Sequence, residues 1–78
     1  MAEEIKELKV VYIVEEYNGD NYICSFETEY PKELKQVVKQ SRFLDKKFGN
    51  NHEYKFFMKI FKNGVCDEWY RIKENQVV

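Results

Sequence analysis

Few side chains in this sequence could carry out acid–base or nucleophilic chemistry. His52 is the single histidine, and it ends the polar stretch Gly49-Asn50-Asn51-His52. A catalytic histidine needs a positioned nucleophile or carboxylate beside its ring, and the neighbouring sequence offers no such arrangement. We therefore expect His52 to lie in a surface loop and to have no catalytic role.

The two cysteines predict neither a disulfide framework nor a zinc site. Cys24 and Cys66 fall in alternating segments, where a buried thiol behaves as a small apolar side chain. Tetrahedral zinc needs four ligands, and only His52 and carboxylates could complete the set, without a recognised spacing. No nucleotide-binding glycine motif, nucleophile elbow, HExxH or calcium loop occurs. The sequence thus predicts a protein that is not an enzyme and has no metal or cofactor.

Aromatic and basic residues that alternate near residue 57 could form a contact surface. Phe57, Phe61 and Tyr70 are interleaved with Lys55 and Lys59. Exposed rings on a sheet can stack on nucleic-acid bases. The same pattern is also typical of a second apolar layer, of a protein interface and of a dimer interface. The residues leave all of these interpretations open.

Charge is unevenly spread along the chain and offers further candidate surfaces. Net charge is −6 over residues 1–30, +4 over residues 31–48 and +1 over residues 49–78, which leaves −1 in total. The acidic segment could mimic a phosphate backbone, although acidic strand edges commonly serve only to prevent aggregation. The basic segment could contact phosphates, but the absence of net positive charge counts against nucleic acid.

A hairpin is predicted for the first third of the chain. Residues 8–17 and 22–29 are rich in β-branched and aromatic residues, and Asn18-Gly19-Asp20-Asn21 between them is a strong turn signal. A loop at 18–21 predicts three cross-strand pairs: Tyr17 with Tyr22, Ile13 with Phe26, and Val11 with Thr28. Both faces of this hairpin are partly apolar, so we expect one face to be covered and the other half covered.

A helix is predicted from Pro31 to residue 48, because proline suits the first helical turn and Gly49 suits the end. An apolar stripe with helical spacing should face the sheet, and its members are Leu34, Val37, Val38, Ser41, Leu44 and Phe48. Phe43 falls half a turn away from Leu34. It should therefore face solvent on the basic side of the helix, with Lys39 and Lys46 nearby.

A second hairpin is predicted over residues 53–73, because Asn63-Gly64 is the preferred sequence for a type I′ turn. A two-residue turn predicts the pairs Lys59 with Glu68, Met58 with Trp69, and Phe57 with Tyr70. Phe57 and Tyr70 would then share a face, and Trp69 would join the core. The ends, residues 1–4 and 74–78, are expected to fray.

Together these elements predict one α+β domain over residues 1–78, of order β-β-α-β-β. Its four strands form an antiparallel sheet with the helix packed on one face. No signal peptide and no apolar run of 18 residues is found, and two cysteines fit a reducing compartment, so we expect a cytoplasmic protein. Residue types with AT-rich codons dominate, which indicates a low-GC bacterium or one of its phages.

The sequence favours a small, non-catalytic protein-binding module, such as an inhibitor or regulator that acts by protein–protein contact. The alternatives are a single-strand nucleic-acid binder that uses an aromatic and lysine-rich sheet face, or a homodimeric structural domain. A membrane partner is not expected. The candidate binding residues are Phe43, Lys39, Lys46, Phe57, Lys59, Phe61 and Tyr70.

Overall fold

Two β-hairpins and one helix make up the fold, and a computed structural model describes them over residues 6–77. Strands β1 (Leu8–Asn18) and β2 (Asn21–Thr28) form the first hairpin. Helix α1 (Pro31–Phe48) follows, and then strands β3 (Glu53–Lys62) and β4 (Val65–Ile72) form the second hairpin. A short 3-10 turn, Glu74–Gln76, ends the described chain.

The strands form one antiparallel sheet in the order β2-β1-β3-β4. The two hairpins join through β1 and β3, which lie in the centre, so β2 and β4 are the edges. Helix α1 connects β2 to β3 and packs across one face, which we call the covered face. The other side of the sheet, with no helix on it, is the open face. This arrangement confirms the predicted α+β fold of order β-β-α-β-β.

The predicted hairpin turn at Asn63-Gly64 is confirmed by the backbone. Asn63 has φ 51° and Gly64 has φ 82°, and positive φ at both central residues defines a type I′ turn. The Asn63 side chain also accepts hydrogen bonds from the backbone N–H groups of Lys6 and Glu7, at 2.9 and 3.0 Å. The turn thereby holds the chain that enters β1.

A β-bulge in the second hairpin overturns the predicted register. Ile60 pairs with Glu68 but Phe61 pairs with Cys66, so β4 carries one extra residue, Asp67. Beyond the bulge Lys59 faces Trp69, not Glu68, while Phe57 faces Arg71. Because side chains alternate along a strand, this one-residue shift reverses the faces of β4. Phe57 and Tyr70 therefore lie on opposite faces, contrary to the prediction.

The first hairpin contains a bulge of the same kind. The predicted pair of Tyr17 with Tyr22 is confirmed, but Glu16 pairs with Cys24, which leaves Ile23 as the extra residue of β2. The predicted pairs farther from the turn are wrong by one residue. The observed pairs are Ile13 with Glu27, Val14 with Phe26, and Tyr12 with Thr28.

The core lies between α1 and the covered face. Leu34 is only 1% exposed, and it packs in a cluster with Val14, Val38, Phe56 and Val77. Burial of Leu34 confirms the centre of the predicted helical stripe. Trp69 does not join this core, since the bulge in β4 places it on the open face with 61% of its surface exposed. The prediction of Trp69 as a core residue is wrong.

The end of the helical stripe also differs from the prediction. Leu44 and Phe48 are exposed, although both were expected to face the sheet. At this end of α1 the neighbouring side chains are polar, because Asp45 contacts His52 and Tyr54. Gly49 then ends the helix as predicted, with φ 70° and with its N–H donated to the Asp45 carbonyl.

The carboxyl-terminal residues pack against the core. Val77, which belongs to the segment 74–78 that is expected to fray, is buried beside Leu34 and Val38. Arg42 donates two hydrogen bonds to the Glu74 carboxylate, at 2.5 and 2.6 Å, and so links this segment to α1. Residues 1–4 and Val78, which were also expected to fray, lie outside the described residues.

Candidate binding surface

The open face of the sheet carries a layer of aromatic and charged side chains. The strand registers place on it Tyr17, Tyr22, Phe57, Phe61 and Trp69. The charged side chains that the registers place on this face are Lys9, Glu15, Glu27, Glu53, Lys55, Lys59 and Arg71. No second element packs on this face within residues 6–77, so these groups meet solvent or a partner.

Two apolar residues are buried on the open face beneath longer side chains. Val11 pairs with Lys59, and Ile13 lies between Glu27 and Phe57. Ile13 is only 4% exposed, although no helix covers it. Long charged side chains can cover apolar groups with their aliphatic portions while the charge stays in water. The open face therefore has a small core of its own.

The Lys59 side chain contacts residues on both edge strands of the sheet, β2 and β4. Its ammonium lies 3.3 Å from the Glu27 carboxylate on β2 and 5.0 Å from the ring centroid of Trp69 on β4. Phe57 packs against Trp69 in a T-shaped arrangement with 6.2 Å between ring centroids. Lys59 thus spans β1 and holds the Trp69 ring from one side, while most of that ring stays exposed.

A second cluster on the same face lies near the first turn. The Tyr17 and Tyr22 rings meet edge to face at 5.8 Å, and the Lys55 ammonium lies 4.3 Å from the Tyr17 ring centroid. The Tyr17 hydroxyl donates a hydrogen bond to Glu15 at 2.8 Å, and this bond raises the pKa of Tyr17 above its usual value. The phenol is therefore neutral at physiological pH. The positive charge of Arg71 acts in the opposite direction and lowers the pKa of the same phenol, but its effect is smaller.

The seven predicted binding residues do not form one surface. Phe57, Lys59 and Phe61 lie together on the open face. Tyr70 lies on the covered face, opposite Met58, where its hydroxyl donates to Glu68 at 3.1 Å. The bulge in β4 separates it from the other sheet residues.

The remaining candidates lie on helix α1. Phe43 is 66% exposed, as predicted, and with Lys39 it lines a shallow apolar groove on the outer side of the helix. Leu44 completes the apolar part of that groove. Lys46 instead lines a polar cleft at the end of α1 with His52.

Three surface residues were missed at the sequence level, namely Trp69, Tyr17 and Tyr22. Their types gave a signal, because exposed tryptophan and tyrosine are common at interfaces. The registers predicted for both hairpins contained no bulge, and they placed Trp69 and Phe57 on opposite faces of the sheet. A bulge is needed to bring these two rings onto the same face.

His52 is not a freely exposed loop residue. Its side chain is mostly buried, and its Nδ1 atom lies 2.8 Å from Glu16 Oε2 and 2.9 Å from Asp45 Oδ1. The Tyr54 hydroxyl donates a short hydrogen bond to the other Asp45 oxygen, Oδ2. Burial, followed by this hydrogen bond, raises the pKa of Tyr54 far above its usual value, so the phenol keeps its proton. Sequence reasoning missed this cluster because its members are 7 to 36 residues apart.

Comparisons with known proteins assign no family. No protein-family model matches the chain, and neither a curated protein nor a solved structure matches it. Within residues 6–77, α1 is not apolar enough to cross a membrane. Function must therefore be argued from the surface itself.

Proposed function

We propose that this protein is a non-catalytic protein-binding module that contacts its partner through the open face of the sheet. The observation that carries the proposal is the exposed Trp69 ring, which packs against Phe57 and lies beside the Lys59 ammonium at the β4 edge of an aromatic layer. Aromatic anchors surrounded by polar groups are the residues that dominate binding energy at protein interfaces. Both contacts restrict the ring before binding, which lowers the entropy cost of association.

The charges of the open face favour a partner segment that combines acidic and apolar groups. Lys9 and Lys59 are already paired with Glu29 and Glu27. Lys55 and Arg71 lie near Tyr17 and form no ion pair within residues 6–77, although Glu15 lies opposite Lys55 in the strand register. An acidic side chain of the partner would meet these two cations, while apolar groups would cover Trp69.

The ring arrangement supports a protein partner over single-stranded nucleic acid. Bases stack on open ring faces, but the Tyr17 and Trp69 rings each carry a lysine ammonium on one face. Both rings also pack edge to face with a neighbour. Glu15 and Glu27 lie on the same surface and would repel phosphates. Nucleic-acid binding and homodimerisation are kept as outcomes of the test below.

Inhibition or regulation of the bound partner is the biological role that fits this surface. A module of this size without catalytic residues acts by occupying a surface of its partner, as an inhibitor or regulator does. Cys24 and Cys66 are exposed free thiols, which suits a reducing compartment such as the cytoplasm. The residue composition suggests a low-GC bacterial or phage source, and this origin is part of the same proposal.

Site-specific photo-crosslinking tests the surface assignment. A photoreactive residue replaces Trp69 in one protein and Phe43 in a matched control, because the two positions are similarly exposed at 61% and 66%. Both proteins are irradiated in a low-GC bacterial lysate, with and without nuclease. We expect a discrete protein adduct from position 69, unaffected by nuclease, and none from position 43. Adding Phe57→Ala should weaken the adduct, since the photoreactive side chain at position 69 loses the ring that packs against it.

Each other outcome contradicts the proposal in a specific way. An adduct that disappears with nuclease would indicate nucleic-acid binding, and an adduct of twice the chain mass would indicate a homodimer. A specific adduct from position 43 alone would move the contact surface to the helix groove that contains Phe43. Equal labelling from both positions would show that neither surface binds selectively.

A further inference from the structure

The polar cluster at the end of α1 brings together side chains from three separate parts of the fold. Glu16 lies near the end of β1, Asp45 in the last turns of α1, and His52 in the loop before β3. One donor atom from each residue lies within 4.8 Å of the other two. All three side chains are 14% exposed, so they are shielded without being sealed from solvent.

We propose that Glu16, Asp45 and His52 form a binding site for a divalent transition-metal ion of the zinc type. The three ligands lie on the covered face or in the loop before β3 and are not part of the proposed protein-binding surface, although Lys55 and Arg71 border both. One imidazole nitrogen and two carboxylate oxygens are ligands that zinc accepts, whereas magnesium and calcium prefer oxygen alone. Three protein ligands leave a fourth position for water or an anion.

The distances between the three ligand atoms would suit zinc after a small outward movement of the side chains. Zinc holds nitrogen and oxygen ligands at about 2.0–2.2 Å, so tetrahedral ligand atoms are roughly 3.3 Å apart. The Nδ1 atom of His52 lies 2.8 Å from the Glu16 oxygen and 2.9 Å from the Asp45 oxygen. Side-chain movements of about half an ångström would therefore admit the ion.

The surrounding hydrogen bonds hold one of these ligands in a suitable orientation. Tyr54 donates to Asp45 Oδ2, which leaves Oδ1 directed at His52. Arg42 lies over the Tyr54 ring at 5.1 Å and is itself held by Glu74. Outer hydrogen bonds of this kind orient metal ligands, and their loss typically weakens metal binding by about 10- to 100-fold.

A simpler occupant is a proton, since a protonated His52 would join the same two carboxylates without any metal. The cations that line the adjoining cleft also oppose a bare metal ion, and they are Arg42, Lys46, Lys55 and Arg71. They would equally favour an anion at the fourth position. The experiment must therefore detect coordination at the His52 ring itself.

The single histidine makes direct detection possible in the unmodified binding site. The untagged protein carries Cys24→Ser and Cys66→Ser, so that the exposed thiols do not bind the ion. Zn²⁺ is added while the ring nitrogens of His52 are observed by ¹⁵N NMR, and stoichiometry is measured by calorimetry. We expect saturable binding of one ion per chain and a large shift of the Nδ1 signal. No saturable shift would overturn the proposal.

Variants then identify the other ligands against a matched control. Glu16→Gln and Asp45→Asn should each weaken Zn²⁺ binding by about tenfold or more, and Tyr54→Phe should weaken it by about 10- to 100-fold. Glu53→Gln is the control, because Glu53 lines the same cleft outside the triad. Equal affinity in the ligand variants and the control would overturn the assignment. So would Mg²⁺ binding as strong as Zn²⁺ binding. The NMR result decides the question if a variant does not fold.

Discussion

The two faces of the sheet bury apolar residues by different means. On the covered face, Val14 and Phe56 are buried by α1 and by Val77. On the open face, Ile13 is at least as buried without any second layer, and its neighbours there are Lys59, Glu27 and Phe57.

Because of this difference, the covered face can stabilise the fold while the open face stays available for binding. Side chains on the covered face are fixed by packing, which is close to crystalline density in protein interiors. No second layer covers the long side chains of the open face within residues 6–77, so a partner could contact Trp69 and Lys59 without unfolding the domain. A 78-residue chain has little surplus stability, and the covered face must supply most of it.

The largest expected effect is on the covered face. Leu34→Ala should lower the free energy of unfolding by about 2–5 kcal/mol, because it empties a site that is 99% buried among Val14, Val38 and Phe56. Urea denaturation followed by circular dichroism measures the change. Phe43→Ala on the same helix is the control and should cost less than about 0.5 kcal/mol. Similar effects of the two variants would refute the assigned helix orientation.

A smaller loss of stability is expected at Ile13, which is the buried residue of the open face that compares best with Leu34. Ile13→Ala should cost roughly 2 kcal/mol, at the low end of the range for buried aliphatic truncations. Lys59 and Phe57 are free on their outer side and can settle into the vacated space. The same urea titration gives the value. A cost as large as that of Leu34→Ala would mean that the open face is packed as rigidly as the covered face.

Much of the fold could be predicted from the sequence, because turns and helix ends depend on local chemistry. Asn63-Gly64, Pro31 and Gly49 each act within a few residues, and all three had their expected roles. The bulges could not be predicted in the same way. Both faces of each hairpin are partly apolar, so the hydrophobic pattern did not exclude a register shifted by one residue. The shift decided whether Trp69 was buried or exposed.

The candidate site was only partly predictable for a related reason. Phe57, Lys59 and Phe61 share one strand, so their alternation alone placed them on one face. The cluster around His52 depends on the packing of α1 on β1, which no local pattern specifies. The same is true of Val77, which is buried against Leu34 and Val38 of α1.

The smallest expected effect is the pH dependence of the free energy of unfolding that comes from the pair of Arg42 and Glu74. Two hydrogen bonds from Arg42 hold the pKa of Glu74 below its usual value. A carboxylate with a lowered folded-state pKa stabilises the protein above its unfolded-state pKa, and this contribution is lost as the pH falls through the folded-state value. Because both side chains are about half exposed, the pair should contribute only about 0.2–1 kcal/mol.

Glu74→Gln should therefore destabilise the protein at pH 7, and the difference from wild type should shrink toward pH 3. Urea titrations of both proteins across this range measure the trend. Glu53→Gln, in which an exposed carboxylate on β3 is replaced, serves as the control for general acid effects. A difference that grows on acidification would contradict the assigned direction of the Glu74 pKa.

The two bulges also bear on how the protein avoids aggregation. β2 and β4 are the edges of the sheet, and an unbroken edge would offer its free N–H and C=O groups to a strand of another molecule. The extra residues, Ile23 and Asp67, interrupt that row once on each side and increase the local twist. Growth of the sheet into fibrils is thereby hindered at both edges. A chain in which 17% of residues are aromatic can thus keep rings exposed while its edges resist strand addition.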